Sequence, residues 1–241
     1  MSTSEPTIEV HRLTKRFGSV VAVDDLSFSV APGTVTGLLG HRGAGKTTTL
    51  RLLLGLATPT SGWALTLGRH YQSLDRPLHK VGAVLERSHY HPGRRALRHL
   101  EIAAIGAGIH PQRRAARIEE VLEIVGLGHA ARRKVGSYSP GMRRRLGLAT
   151  ALLADPLVLI LDEPANGLDP EEIMWLRRLL RSLADQGKTV LVSCHLLGEF
   201  SQMADEVVVI DRGRLVRRSE VATTADDIFL DLTAGAHEVT W

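Results

Sequence analysis

One short stretch limits this chain more than any other: Gly40-His41-Arg42-Gly43-Ala44-Gly45-Lys46-Thr47, followed by Thr48. It fits the pattern G-x-x-x-x-G-K-[ST]. An apolar run at residues 35–40 leads into it, and residues 47–56 read as a helix stopped near Pro59. A strand, a glycine-rich loop and a helix in that order turn backbone N–H groups toward an anion. The helix adds the positive end of its dipole, roughly half an elementary charge. The pattern predicts a phosphate cradle for ATP, with Lys46 reaching the β- and γ-phosphates and the Thr47 hydroxyl binding Mg²⁺. A dinucleotide site is disfavoured, because the loop has no G-x-G-x-x-G spacing.

A second signal lies downstream. Residues 157–161 are five consecutive apolar residues, and Asp162-Glu163 follow. An unbroken apolar run is how a strand covered on both faces reads in a parallel sheet. Two carboxylates at its end look like a Walker B strand. Asp162 is placed to hold Mg²⁺, directly or through water, and Glu163 to polarise a water for in-line attack on the γ-phosphate.

The rest of the chain supplies the frame. Residues 8–13 and 26–30 alternate apolar and polar, as half-buried antiparallel strands do. Residues 81–85, 189–194, 206–211 and 214–216 read as further short strands. Between about 88 and 156 the pattern becomes helical. Ile118, Val121, Leu122 and Val125 share one face, and Ser139-Pro140 reads as an N-cap followed by proline at the first helical position. Asp169-Pro170-Glu171-Glu172 opens another helix with acid in its first turn. The expected fold class is α/β: a P-loop NTPase (RecA-like) core with an antiparallel β subdomain and an inserted helical lobe. All 241 residues are expected to form a single domain, with a weakly patterned tail from about 221 to 241.

Composition narrows the function classes. An apolar fraction of 44% with 23% charged residues suits a globular protein and excludes bulk disorder. A single cysteine, Cys194, excludes a disulfide framework, fits a reducing compartment and reads as a core residue. No apolar run approaches membrane-spanning length, and the first residues lack a basic and apolar leader pattern, so the expected location is cytoplasmic. The net charge of +4 comes in small arginine clusters, such as Arg143, Arg144 and Arg145. They could meet nucleic acid or lipid headgroups, or be solvated helix faces. Interleaved acids and missing aromatics favour the solvated faces, and no nucleic acid is expected.

The order of motifs resembles a known family. P-loop, helical lobe, Tyr138-Ser139-Pro140-Gly141-Met142, Leu161-Asp162-Glu163-Pro164, Asn166-Gly167-Leu168-Asp169 and Cys194-His195 look like the ATPase subunit of an ATP-binding cassette (ABC) transporter. The likeness runs from about residue 7 to residue 220. Val84-Leu85-Glu86, Tyr90-His91-Pro92 and the Ser139 segment resemble bacitracin- and daunorubicin-type exporters.

The resemblance implies roles residue by residue. Phe17 matches the aromatic on which adenine stacks, and stacking is favoured over the plainer reading as a core residue at the end of a strand. Glu86 stands at the Q-loop position, contacting Mg²⁺ and coupling to a membrane partner. Ser139, Gly141 and Met142 match the signature that contacts ATP bound to an opposite subunit. Asp169 matches the aspartate at the dimer seam and is also a helix cap, and His195 matches the switch histidine that holds γ-phosphate and water. The implied protein is an ATPase that energises a separate integral membrane permease from the cytoplasmic face. Export of a drug, antibiotic or lipid-like molecule is expected, by a head-to-tail homodimer sandwiching two ATP. A soluble ABC ATPase or a regulatory nucleotide-binding module is the alternative. Three positions depart from the family pattern: Pro140 replaces a glycine and removes one N–H donor, Arg42 replaces asparagine or serine, and Glu86 replaces glutamine.

Overall fold

A computed structural model describes residues 5–85, 90–195 and 204–220. Glu86 and the tail from residue 221 onward lie outside the described residues.

Three strands form a small antiparallel sheet: β1 (Ile8–Phe17), β2 (Val20–Val30) and, after β3 (Val35–Leu39) and α1 (Lys46–Leu53), β4 (Ser61–Thr66). Their spatial order is β2-β1-β4, with Ile8 opposite both Val30 and Thr66. A short helix α2 (Pro77–Lys80) then leads into β5 (Val81–Val84). Three helices follow: α3 (Ala96–Gly106), α4 (Pro111–Ile124) and α5 (Pro140–Leu152). The chain returns as β6 (Val158–Asp162), α6 (Pro170–Asp185), β7 (Thr189–Cys194), β8 (Glu206–Asp211) and β9 (Arg214–Glu220). The large sheet runs β5-β6-β7-β3-β8-β9, with only β9 antiparallel to its neighbour.

The apolar runs read from the sequence become strands covered on both faces. On β6, Val158 and Ile160 join the core under α1 and the small sheet, whereas Leu159 and Leu161 join the core under the helices. That alternation follows from the two-residue period of a strand. The second core continues into the helical lobe through Leu100, Ile118, Val121, Leu122 and Leu146, all buried. Burying such a leucine or isoleucine is worth roughly 1.5–3 kcal/mol each, which is what fixes the lobe helices to one another.

Helix ends follow the local signals. Ser139 caps α5 by accepting the Met142 N–H at 3.1 Å, and Pro140 takes the first helical position. Asp169 caps α6 in a capping box with Glu172.

Several boundaries differ from the sequence reading. Strand β1 runs on to Phe17 and β2 starts at Val20, because the two pair beyond the alternating stretches from Lys15↔Val23 to Phe17↔Val20, and β5 ends at Val84 rather than at residue 85. Helix α1 spans Lys46–Leu53 rather than 47–56, because Leu54 to Leu56 turn back on Leu50, Leu52 and Arg51 through backbone bonds around Gly55, at φ +64°. Strand β9 continues to Glu220, because its pairing with β8 runs on to Glu206↔Glu220. Leu157 stays outside β6 and is 47% exposed. Strand β4 was not anticipated; its first turn holds Gly62 at φ +72° against β1.

Parallel pairing aligns the strand ends that matter. Leu39 of β3 lies opposite Cys194 of β7, and Asp162 of β6 lies opposite Ser193. The phosphate loop, the two carboxylates and His195 therefore emerge side by side at the carboxyl end of the sheet, where ligands of open α/β sheets bind.

Candidate active site

The loop after β3 is shaped by two close approaches. Gly40 is packed so that a Cβ would overlap the Ile210 carbonyl oxygen, and Gly45, at φ +103°, would overlap that of Ala22. A left-handed turn with no room for a side chain requires glycine at position 45. It delivers the chain directly into α1, whose first residues point N–H groups back at the loop. A cavity of about 330 Å³ opens there, lined by Ala22, Arg42, Gly43, Gly45, Lys46, Thr47, Thr48 and Glu163.

Lys46 is buried, and its Nζ donates to the carbonyls of Gly40 at 2.7 Å and His41 at 3.2 Å. The same ammonium lies 3.4 Å from Glu163 Oε1. A buried lysine needs this company, since an unpaired charge there is costly. The arrangement also places a cation at the floor of the cavity, ready to exchange carbonyls and carboxylate for phosphate oxygens.

Asp162 is fully buried. Its Oδ1 accepts from Ser193 Oγ at 2.6 Å and from Thr47 Oγ1 at 3.2 Å. Its Oδ2 is buried without a hydrogen-bond partner among the described residues. An orphaned carboxylate oxygen beside a P-loop hydroxyl is a hard-oxygen donor set that fits Mg²⁺. Among the described residues, three or more His, Cys, Asp or Glu side chains do not gather into a metal cage.

Glu163 adopts φ +46°, a left-handed conformation that costs a non-glycine residue about 1–3 kcal/mol. Its N–H is held by Ser193, through Oγ at 2.9 Å and the carbonyl at 3.2 Å. The strained turn aims the carboxylate over the cavity. There Oε2 accepts from Asn166 Nδ2 at 2.9 Å and lies 3.8 Å from His195 Nδ1. A carboxylate flanked by ammonium, amide and imidazole can orient a water and take its proton.

The structure brings Lys46, Thr47, Asp162, Glu163 and His195 together. Ser139, Gly141, Met142 and Asp169 lie elsewhere, and none lines that cavity. Ser139 and Asp169 are exposed, and Gly141 is buried against Glu172, whose carboxylate a Cβ on Gly141 would overlap. Phe17 is 54% exposed with Lys15 Nζ 4.8 Å above its ring, so it borders solvent rather than the core. His41, Arg42 and Gly43 are exposed, Arg42 and Gly43 at the wall of the cavity, and Ala44 is buried beneath the loop. Sequence reasoning missed Ser193 and Asn166. Ser193 carried a usable signal, being a hydroxyl residue after the apolar run Val190-Leu191-Val192 at the strand end.

Known proteins resemble this chain in sequence and in fold. The ABC transporter family model matches residues 23–166. The chain is 44% identical over 211 residues to the bacitracin transport ATP-binding protein BcrA of Bacillus licheniformis, covering 87% of this chain and 68% of that protein. It is 42% identical over 212 residues to the Nod factor export ATP-binding protein I of Burkholderia orbicola (strain AU 1054), covering 87% and 69%. Among solved structures, the ATP binding subunit of an ABC transporter superposes with a TM-score of 0.83 at 24% identity, covering 94% of this chain and 99% of that one. The ATP-binding cassette MJ0796, in a dimeric post-hydrolysis state bound to ADP and Pi, superposes with a TM-score of 0.80 at 24% identity, covering 89% and 98%. At that identity the superpositions speak for the fold. The family match and the relatives add the function: the chain belongs to the ABC transporter family and is the ATP-binding, ATP-hydrolysing subunit of such a transporter.

Proposed function

We propose that two copies of this chain associate head to tail around two ATP molecules and drive a separate integral membrane permease from the cytoplasmic face. Each copy is one cassette domain whose helical lobe carries the signature. One observation carries the reading. Lys46, Thr47, Asp162 and Glu163 converge on one cavity, while the cap residue Ser139 is exposed and lines no part of that cavity in its own chain. Half of a phosphate site is therefore presented by α5 to another molecule, and a second copy supplies the complement.

In this reading the backbone N–H groups from Gly40 to Thr48 cradle the phosphates, and Phe17 offers its exposed ring to the adenine. Lys46 leaves the carbonyls of Gly40 and His41 for the β- and γ-phosphates. Thr47 and Asp162 would hold Mg²⁺, and the family resemblance adds Glu86, which lies outside the described residues, as a further oxygen ligand; the cation would supply neutralisation of the phosphate charge. Glu163 accepts a proton from water as the water oxygen attacks phosphorus and the bond to the β-phosphate oxygen breaks. His195 holds the γ-phosphate and the water, and Ser139, Gly141 and Met142 reach the γ-phosphate of the partner copy's ATP. Asp169 lies at the seam.

The relatives' names speak of bacitracin transport and Nod factor export, which supports export of a drug, antibiotic or lipid-like molecule. No helix among the described residues is long and apolar enough to cross a membrane. The test is single-turnover hydrolysis of Mg-ATP by Glu163→Gln. Loss of a general base costs about 10²- to 10⁴-fold in rate. A rate within a few-fold of wild type would overturn the role given to Glu163.

A further inference from the structure

Asn166 sits at the crossing of two contacts that the mechanism above does not use. Its side-chain Nδ2 donates to Glu163 Oε2 at 2.9 Å. Its backbone carbonyl accepts from Arg144 Nη2 at 3.1 Å. Arg144 belongs to α5, the helix that begins at the Ser139 cap. The backbone between these two contacts is a tight turn, with the Asn166 N–H on the Glu163 carbonyl at 3.2 Å and Gly167 at φ +74°. The same helix start meets the same loop a second time, where the Glu172 carboxylate fills the space beside Gly141 and also accepts the Asp169 N–H. The loop from Pro164 to Asp169 is thus bonded to α5 through Arg144, and Glu172, which accepts the Asp169 N–H, leaves no room for a side chain at Gly141 at the start of the same helix.

Resting on the reading of Glu163 as general base and of α5 as the partner-facing helix, we propose that Asn166 is a positioning residue for Glu163, and that Arg144 links its position to that of α5. The physical case is direct. Glu163 Oε1 is pulled toward Lys46, which must move to phosphate when nucleotide binds. Once that ion pair is released, the contacts left to orient the carboxylate among the described residues are Asn166 at 2.9 Å and His195 at 3.8 Å, the latter beyond hydrogen-bond length. Asn166 then decides where Glu163 points. The Arg144 contact is charge-assisted and carries the position of α5 to that amide. In a head-to-tail pair, α5 touches the nucleotide of the partner copy while Glu163 serves its own. The chain Arg144–Asn166–Glu163 therefore makes the base of one site respond to docking at the other. Such a relay is a coupling between two sites through contacts with two arrangements.

The experiment compares Asn166→Ala and Arg144→Met, each alone and combined with Glu163→Gln, in single-turnover and steady-state hydrolysis of Mg-ATP by the full chain. In the otherwise wild-type chain, each variant is expected to lower kcat about tenfold with KM within twofold, the mark of an effect on chemistry rather than binding. On Glu163→Gln, neither is expected to lower the residual rate by more than about twofold, because both act through the missing carboxylate. Asn166→Asp, which keeps the size and sets acceptor against acceptor, is expected to cost at least as much as the alanine variant. Equal losses on both backgrounds would overturn the proposal, assigning Asn166 a general structural part or Arg144 a direct contact with nucleotide. A kcat within about twofold of wild type for Asn166→Ala, with Glu163→Gln still slow, would overturn the proposal and leave the base assignment standing. A fast Glu163→Gln would remove the base assignment, and the proposal with it.

Discussion

Ser193→Ala removes one oxygen from the centre of the site, and its cost can be worked out. The hydroxyl donates to the buried Asp162 carboxylate at 2.6 Å and accepts the Glu163 N–H at 2.9 Å. A hydrogen bond to a charged group contributes about 1.5–3 kcal/mol. The Glu163 N–H keeps the Ser193 carbonyl at 3.2 Å, so its loss adds little. Asp162 would retain one donor, Thr47 at 3.2 Å, for two buried oxygens. The expected destabilisation is about 2–3 kcal/mol. For a chain of 241 residues that lowers Tm by roughly 4–12 °C. Urea unfolding followed by circular dichroism, without nucleotide, measures it. Repeating the measurement with Mg-ATP on the Glu163→Gln background tests the metal assignment. A cation on Asp162 replaces the lost donor, so the stability gap between Glu163→Gln with and without the added Ser193→Ala should fall below about 1 kcal/mol. A nucleotide-free difference under about 0.5 kcal/mol would refute the hold of Ser193 on the buried carboxylate. An undiminished gap with Mg-ATP would refute the role of Asp162 as metal ligand.

Other expectations follow from single contacts. Gly45→Ala must place a Cβ into the Ala22 carbonyl from a left-handed backbone, so it should abolish ATP binding in calorimetry at any accessible concentration while wild type binds. Phe17→Ala should weaken ATP binding by about 1–3 kcal/mol, the worth of one stacked base, with Tm unchanged because the ring is 54% exposed. Arg42→Asn should weaken ATP binding about two- to fivefold, as the loss of one exposed charge-assisted contact, read by the same titration. Burial, aided by the nearby Arg94, pushes the His99 imidazole below its ordinary value. The folded state thus favours neutral His99, and the stability this brings is present above the ordinary imidazole range and lost as pH falls through it. Urea midpoints should therefore begin to fall near pH 6.5, the ordinary imidazole value, and go on falling below it, and fall less in His99→Gln.

The legible parts of this fold share a physical trait: their signals are local. The glycine loop before Lys46, the apolar run ending in Asp162-Glu163, and Ser139-Pro140 each specify backbone geometry within a few residues, and each appears in the structure where the spacing puts it. The less legible parts depend on partners far along the chain. Strand β4 has no clean alternation, and pairing with β1 across about fifty residues makes it a strand. The length of β9 is set by β8. The hold of Ser193 on Asp162 and Glu163 spans about thirty residues, and that of Arg144 on Asn166 about twenty; no pattern in the sequence marks either pairing. Glu163's left-handed turn is likewise invisible in a run that reads as strand and loop, because tertiary contacts impose it.

The central claim is that one copy holds only part of each ATP site. Its most direct test is the mass of Glu163→Gln in solution, measured by light scattering during size exclusion, with and without Mg-ATP. The expected mass is 26.3 kDa without nucleotide and twice that with Mg-ATP, reverting to the single mass when Ser139→Arg is added to block the exposed cap. A single mass under all conditions, in protein shown by titration to have bound ATP, would contradict the claim.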